Sequence, residues 1–339
     1  MYNIIAEYIW IGGEGELRSK AKTIISISES ISFDELPDWD FDGSSTKQAE
    51  QSDSEIILRP VSMYSCPFRK NKNLLVMCDT YDQTGNPLQN NNRFNANKLF
   101  NKDLEQKPWY GIEQEYFIMD KSGLPVGFPK QEGSKQGKYY CGVGSENVFC
   151  RKLVDKHYDY CLYSGLSISG INAEVAPGQW EYQIGPVEGI SAGDQLYISR
   201  YILIRLSEEF DYVINFEPKP LDGDWNGSGC HVNFSTENIR NGKGLMSGLY
   251  NIKTCIEKLK HKHSEHMKVY GNDNFKRMSG EHETSDFNKF SFGNGNRGCS
   301  VRIPNKVIKE GKGYFEDRRP GSNMDPYLVS GIIFETCCL

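Results

Sequence analysis

The chain has 339 residues, of which 25% are charged and 12% are aromatic, and its formal net charge is −6. This length suggests two domains, and the composition is typical of a globular protein with a sizeable core. A mildly acidic chain argues against nucleic acid or an anionic membrane as the main partner, and no apolar run reaches the roughly 18 residues of a membrane span.

The first ten residues are mostly apolar, but they lack a basic stretch and include Glu7. They therefore predict a strand rather than a signal peptide. The ten cysteines include no Cys-x-x-Cys pair, and we expect them to be free thiols in a reducing compartment. Since no transit peptide is visible, the expected location is the cytoplasm.

Strand-like patterns dominate the first quarter of the chain. Residues 6–11 and 18–27 flank a glycine-rich turn at residues 12–15, which predicts a hairpin. Two further short strands are expected at residues 56–61 and 74–78. This part of the sequence therefore predicts a small β-rich domain.

A polar, turn-rich segment at residues 82–92 is the best candidate for a domain boundary. Beyond it the patterns predict one strand, three helices and a surface loop, at residues 111–119, 145–163, 191–210, 245–270 and 128–137, respectively. Long alternation of strands and helices is absent, so a Rossmann-type parallel sheet is not expected. We predict an α+β protein with domains at residues 1–84 and 85–339.

Two glutamates on the predicted strand 111–119 are candidates for a metal site. Alternation places Glu113 and Glu115 on one face together with Phe117, and both faces of this strand carry apolar residues. Two carboxylates in a strand that is buried on both sides repel each other and lose hydration, and a cation would relieve both costs. The alternative is a strand end at the solvent edge.

A turn at Pro177 and Gly178 separates two further glutamates. If it closes a two-residue hairpin loop, Glu174 lies directly opposite Glu181, with Cβ atoms roughly 4.5–5.5 Å apart. Like charges that face each other again favour a cation between them. Pro-Gly suits a type II turn better than the primed turns of hairpins, so this register is left open.

Two later segments add candidate residues. In the strand-like run 227–235, alternation places His231 opposite the apolar face, although a lone strand histidine is more often structural than a ligand. Glu316 and Arg318 would point the same way if residues 314–320 are extended. The alternative there is a salt-bridged surface loop.

Together these segments offer five carboxylates and one imidazole. An oxygen-rich set of this kind favours Mg²⁺ or Mn²⁺ over zinc, and five glutamates suit two or more ions better than one. Several arginines lie in the last part of the chain, namely Arg277, Arg297, Arg302, Arg318 and Arg319. Divalent cations together with arginines are typical of phosphoryl transfer, in which charge stabilisation dominates catalysis.

Three histidines near residue 260 are a separate candidate for metal binding. His261, His263 and His266 lie among lysines on a predicted helix. We expect them to form a solvated basic face instead.

Nine long motifs occur in the chain, at residues 36–46, 109–116, 139–144, 172–175, 179–186, 226–231, 280–285, 300–304 and 313–320. In this order they closely resemble the motifs of eukaryotic-type (class II) glutamine synthetase, and the resemblance covers nearly the whole chain. It implies a β-grasp-like N-terminal domain and a catalytic domain on a curved antiparallel sheet flanked by helices. It also implies ATP-dependent ligation of ammonium to glutamate through a γ-glutamyl phosphate, with ATP as co-substrate and two or three Mg²⁺ or Mn²⁺ ions per site.

The resemblance also assigns roles to individual residues. The metal nearest glutamate would be held by Glu115, Glu174 and Glu181, and the metal nearest the ATP phosphates by Glu113, His231 and Glu316. Glu113 and Glu174 would also contact the substrate. Glutamate and the transferred phosphate would be bound by Arg297 and Arg318, and the substrate carboxylate by Arg277. The residues near the nucleotide would be Trp109, Pro186, Asn233, Ser235, Arg302 and Tyr314.

The ammonium pocket is expected to need a second copy of the chain. Asp42, Ser45 and Tyr140 would form it, with Asp42 supplied by a neighbouring subunit, and Glu283 would lie on a flap that closes the site. We expect a homo-oligomer, a decamer of two pentameric rings. The alternatives are a ligase for another amine, which needs a wider amine pocket, and a non-catalytic protein, which would have lost metal ligands.

Overall fold

The computed structural model describes residues 1–128, 136–242 and 247–339. Its strands are β1 Tyr2–Ile11, β2 Leu17–Ser26, β3 Trp39–Asp42, β4 Glu55–Ser65, β5 Leu74–Tyr81, β6 Trp109–Met119, β7 Ile168–Ala173, β8 Gln179–Glu188, β9 Val213–Asn215, β10 Cys230–Ser235, β11 Phe292–Asn294, β12 Val301–Ile303 and β13 Phe315–Asp317. Its helices are α1 Asn92–Phe100, α2 Arg151–Tyr163, α3 Ser191–Glu208, α4 Glu237–Asn241, α5 Gly248–His261, α6 His263–Met267, α7 Asn305–Glu310 and α8 Pro326–Cys338. Across these three ranges, no helix combines the length and apolarity that a membrane span needs.

The first sheet has the order β2-β1-β5-β4-β3, and its pairs are antiparallel except β1 with β5. The predicted hairpin of β1 and β2 is confirmed. One face of this sheet buries a separate apolar cluster that includes Tyr8, Trp10 and Phe41. The strand β3 was not predicted, because four residues with two aspartates give too short an alternation to detect.

The second sheet has the order β11-β12-β13-β10-β6-β8-β7, with β9 also paired to β6. One face packs against α2, α3, α5 and α8 in the main apolar core. Alternate residues of the central strands enter this core, as in Tyr116 on β6, Tyr182 on β8 and Phe234 on β10. The residues between them point to the opposite face, which carries the polar side chains.

Two helix predictions need correction. The helix expected at residues 145–163 begins only at Arg151, because Cys150 adopts a left-handed backbone with φ 62°. The helix expected at residues 245–270 is two helices, α5 and α6, which separate at Lys262, and its first two residues lie outside the described ranges. Most of the predicted loop 128–137 also lies outside them.

The break at Lys262 overturns the expectation of a solvated histidine face. His261 stays exposed, but His263 and His266 turn inward and are 7% and 0% exposed. His266 Nδ1 lies 2.6 Å from the Tyr270 hydroxyl, which donates to Asp317 at 2.7 Å. These histidines therefore belong to a buried hydrogen-bond network behind β13.

Arg93 on α1 joins the N-terminal sheet to the larger domain. Its Nε and Nη2 donate to the two carboxylate oxygens of Asp194 on α3, at 2.7 and 2.9 Å. Asp79 on β5 approaches the same guanidinium at 3.8 Å. Burial, opposed by Arg93 and assisted by the charge of Asp194, raises the pKa of Asp79 to about 6.

Candidate active site

Two adjoining cavities open on the polar face of the second sheet. One has a volume of about 460 Å³ and is acidic, and the other has a volume of about 500 Å³ and a more apolar wall. Glu113 lines both cavities. Molecules bound in the two cavities would therefore meet beside one carboxylate.

Strand register builds the wall of the acidic cavity. On β6, Glu113 lies opposite His231 of β10, and Glu115 lies opposite Glu181 of β8. Both glutamates share the face that the alternation predicted. The described residues that line the cavity are Glu113, Glu115, Gly137, Tyr140, Glu174, Val175, Glu181, Asn226, Gly227, His231, Arg277, His282, Glu283, Thr284, Arg297 and Arg318.

One group of ligand atoms is compact enough to hold a metal ion. Oxygen atoms of Glu113 and Glu316 and a ring nitrogen of His231 all lie within 4.8 Å of one another. His231 Nδ1 is 3.6 Å from Glu113 and 3.7 Å from Glu316. Glu316 is fully buried, so the alternative of a salt-bridged surface loop is wrong.

Three further glutamates form the other half of the acidic wall. Burial first, and the negative charge of neighbouring carboxylates second, raise the pKa values of Glu115, Glu174 and Glu181 to about 8. Glu115 keeps one strong partner, since its Oε2 accepts a hydrogen bond from the Gly229 amide at 2.9 Å. The crowding of buried carboxylates fits divalent cations, which would restore the charged forms.

The expected register of the 174–181 hairpin is wrong. Glu181 lies opposite Asn172 of β7 rather than Glu174, whose amide donates to Gln179 O in the connecting loop. Gly178 has φ +67°, as the third residue of a type II turn requires. This turn does not close a two-residue hairpin, so the loop is wider and Glu174 reaches the cavity from it.

The arginines lie around the carboxylates. Arg318 donates to Glu316 at 2.7 Å, and Arg302 also donates to Glu316. Arg277 is buried, donates to Arg319 O at 2.7 Å, and has its pKa lowered to about 10 by burial. Arg297 is more exposed and lies 3.8 Å from Glu283.

The second cavity has aromatic rings at its rim. Trp109 and Tyr314 are 40% and 41% exposed, so both rings offer apolar surface to a ligand at this rim. Pro186, Asn233 and Ser235 also line this cavity. Among the described residues, Arg302 is not part of its wall, but it lies on β12 and donates to Glu316 of the compact cluster.

Two residues of the expected ammonium pocket lie apart from this site. Within the described ranges, neither Asp42 nor Ser45 lines either cavity, whereas Tyr140 and Glu283 line the acidic one. Asp42 ends β3 in the N-terminal sheet and accepts hydrogen bonds from Ser44 and Ser45, which lower the pKa of its carboxyl. The carboxylate is therefore charged at neutral pH and faces outward.

Two family models match the chain in sequence. The glutamine synthetase beta-Grasp domain matches residues 4–83, and the glutamine synthetase catalytic domain matches residues 92–337. The chain belongs to the glutamine synthetase family. It is 56% identical to a putative glutamine synthetase of Acanthamoeba polyphaga mimivirus, over 98% of this chain and 94% of the relative.

Cellular relatives are similar over the same length. The chain is 52% identical to a glutamine synthetase of Candida glabrata, over 99% of this chain and 89% of the relative. It is 53% identical to glutamine synthetase cytosolic isozyme 1-3 of Arabidopsis thaliana, over 99% of this chain and 95% of the relative.

Membership of the glutamine synthetase family confirms several predictions. These are the α+β fold with a β-grasp-like domain and a curved antiparallel sheet, the assignment to the ligases, and ATP-dependent synthesis of glutamine. Glutamine synthetases use ATP and divalent metal ions. The roles of individual residues remain predictions.

Sequence reasoning missed Arg240 in this glutamine synthetase site. Its guanidinium lies 4.0 Å from the centre of the Trp109 ring and donates to Ser235 Oγ at 3.0 Å. Arg240 lines the second cavity and fixes the ring that forms its rim. Its helix, α4, is only five residues long, so no periodicity marks it out.

Proposed function

We propose that glutamate binds in the acidic cavity and ATP in the second one, so that the γ-phosphate is transferred beside Glu113 at their common wall. The carboxylate oxygen of glutamate would attack the terminal phosphorus, giving ADP and γ-glutamyl phosphate. Ammonia would then attack the acyl carbon and release phosphate. The observation that carries this proposal is that one carboxylate lines both cavities.

Two or three Mg²⁺ or Mn²⁺ ions would occupy the acidic wall. Glu115, Glu174 and Glu181 would hold the ion nearest glutamate, and Glu113, His231 and Glu316 the one nearest the ATP phosphates. Support comes from the 4.8 Å cluster of the second set and from the raised pKa values of the first. Bound ions would neutralise charge on the transferred phosphoryl group.

The arginines would act on the substrates directly. Arg277, buried in the wall, would bind the carboxylate of glutamate, and Arg297 and Arg318 would stabilise the phosphoryl group as it moves. Arg302, held beside Glu316, would contact the nucleotide phosphates. The adenine would lie at the rim with Trp109, Tyr314, Pro186, Asn233 and Ser235, which all line the second cavity.

Ammonium capture would use two chains. Asp42 and Ser45 lie outside both cavities of their own chain, which supports the proposal that they serve the cavity of a neighbour. There the Asp42 carboxylate would attract ammonium beside Tyr140, and Glu283 or Asp42 would take its proton. The assembly that we propose is a decamer of two pentameric rings.

The domain boundary and the cellular location are also part of the proposal. The domains would divide within residues 84–91, at 1–84 and 85–339, in line with the matches at residues 4–83 and 92–337. A cytoplasmic location is proposed because the Arabidopsis relative is named a cytosolic isozyme.

The test is phosphate release from ATP by the purified protein with Mg²⁺, measured with and without glutamate and ammonium. We expect one glutamine per phosphate and rapid release only when both substrates are present. Release with a larger amine but not with ammonium would replace the proposal by a different amide ligase. Absence of release by a folded protein that binds ATP would contradict a catalytic role.

A further inference from the structure

The segment of residues 279–286 borders the acidic cavity through His282, Glu283 and Thr284. Its ends are tied by a β-bridge between Ser279 and Asp286, and Glu283 near its tip lines the cavity. On the cavity side, Arg318 donates to Glu283 O at 3.2 Å. The backbone of Glu283 is therefore anchored from within, while its side chain is 64% exposed.

The neighbouring side chain, His282, is anchored from outside the segment. His282 Nε2 lies 2.8 Å from Asp224 Oδ1, and His282 Nδ1 lies 2.8 Å from Gln136 Nε2. Gln136 and Asp224 belong to two other loops that border the same cavity through Gly137 and Asn226. Three separate segments thus meet at one imidazole ring.

One backbone amide determines the proton positions in this cluster. The Asn226 N–H donates to Gln136 Oε1 at 2.7 Å, so the amide nitrogen of Gln136 must be the atom that faces His282. That NH₂ group can only donate, and His282 Nδ1 is therefore an acceptor. The ring proton lies on Nε2 and is donated to the Asp224 carboxylate, so all three contacts are satisfied at once.

The backbone also needs such an anchor. His282 and Glu283 have φ values of 51° and 60°, which places two consecutive residues with side chains in the left-handed region. Residues other than glycine stay in this region only where surrounding contacts hold them. The hydrogen bonds of His282 on one side and of Arg318 on the other supply those contacts.

We propose that His282, Asp224 and Gln136 form a latch that holds the Glu283 segment over the acidic cavity, and that the latch excludes water from the acyl phosphate. This inference rests on the proposed function and adds a positioning role for His282. Water that entered would attack the acyl carbon, giving back glutamate and phosphate, and the ATP would be spent without glutamine.

The test uses the full-length, assembled protein and the variants His282→Ala, Asp224→Ala and Asp224→Asn. In His282→Ala and Asp224→Ala, we expect phosphate released per glutamine formed to rise about threefold or more, with a higher KM for ammonium. The KM for ATP should not change, because none of the three latch residues lines the second cavity. Asp224→Asn retains an oxygen acceptor for His282, so its ratio of phosphate released to glutamine formed should return toward the wild-type value. We call this ratio the coupling of the reaction.

Two comparisons distinguish loss of the latch contacts from a general loss of structure. His261→Ala, an exposed histidine on α5, should leave the ratio at its wild-type value. The double variant His282→Ala/Asp224→Ala should be no worse than His282→Ala alone, since Asp224 acts on the segment only through His282. Unchanged coupling in a folded His282→Ala protein, or additive effects in the double variant, would overturn the inference.

Hydrogen–deuterium exchange of the peptide 279–287 tests the latch without relying on turnover. We expect faster exchange in His282→Ala and Asp224→Ala than in wild type and His261→Ala. Equal exchange in all four proteins would overturn the latch, whatever the reaction proves to be. A wild-type protein that makes no glutamine while its exchange follows this pattern would instead refute the proposed function.

Discussion

Glu115 and Glu181 face each other directly across β6 and β8, and each is only 8% exposed. Two carboxylates in this position repel each other unless a cation lies between them. The pair is therefore stable in the sheet only where a proton or a bound cation offsets this repulsion. This pairing leads to the first prediction.

Glu181→Gln should reduce glutamine formation by about 100-fold or more. Loss of a residue that only hydrogen-bonds to a metal ligand already lowers metal affinity or activity by about 10–100-fold, and Glu181 is proposed as a ligand itself. The amide keeps an acceptor for Gln183, and removal of one negative charge should leave unfolding by urea unchanged or shifted to higher concentration. Activity and metal titration are the measurements. Glu257→Gln, on the exposed face of α5, is the control. Near-normal turnover would contradict the two-metal assignment.

Asp42→Asn should leave γ-glutamyl phosphate formation intact but raise the KM for ammonium. The amide still accepts the hydrogen bond from the Ser44 amide, so the turn after β3 is retained and only the charge is lost. Trapping of the acyl phosphate and ammonium kinetics give the two readouts.

Mixed assemblies test whether Asp42 acts in a neighbouring chain. Co-expression of Asp42→Asn with Glu181→Gln should restore part of the activity, because some sites then combine an intact cavity with an intact partner. Mixed particles that are no more active at low ammonium concentration than either parent would argue against a site shared between subunits.

Metal binding should release protons. In the metal-free protein, burial and the charge of neighbouring carboxylates raise the pKa values of Glu115, Glu174 and Glu181 to about 8, so the three carboxyls together bind protons near neutral pH. Ions displace those protons, and the apparent affinity for Mg²⁺ should rise as the pH increases from 6 to 9. Calorimetric titration in buffers of different ionisation enthalpy measures the release. Identical heats of binding in every buffer would contradict the release of protons on metal binding.

Asp79→Asn should stabilise the protein at neutral pH. The pKa of Asp79 rises on folding from 3.8 to about 6, so the folded state binds the proton more tightly and wild-type stability falls as pH increases through this range. The variant cannot ionise at this position, so its free energy of unfolding should exceed that of wild type by about 1–3 kcal/mol at pH 7 but by little at pH 4. Urea unfolding at both values measures the difference. A gain that is the same at both pH values would refute the argument.

Alternation along single strands was enough to predict much of the site. It placed Glu113 with Glu115 and His231 opposite an apolar face, because the faces of a strand follow directly from the sequence. Glu174 was misplaced because its position depends on the width of a loop. The inward turn of His263 and His266 depends on a helix break that lysine-rich periodicity does not reveal. Arg240 contacts Trp109 and Ser235, which come together only in the folded chain.

Glu113 lies in the wall of both cavities, and this position matters for the design of inhibitors. A single synthetic molecule could reach from the acidic cavity into the aromatic-rimmed one, and its middle would then pass beside that carboxylate. A linker with a cationic or hydrogen-bond-donating centre would satisfy Glu113 as it passes. An uncharged hydrocarbon linker would displace water from the carboxylate and leave it only its protein partners, such as the amide of Asn233, so the chemistry of the linker would contribute to the affinity.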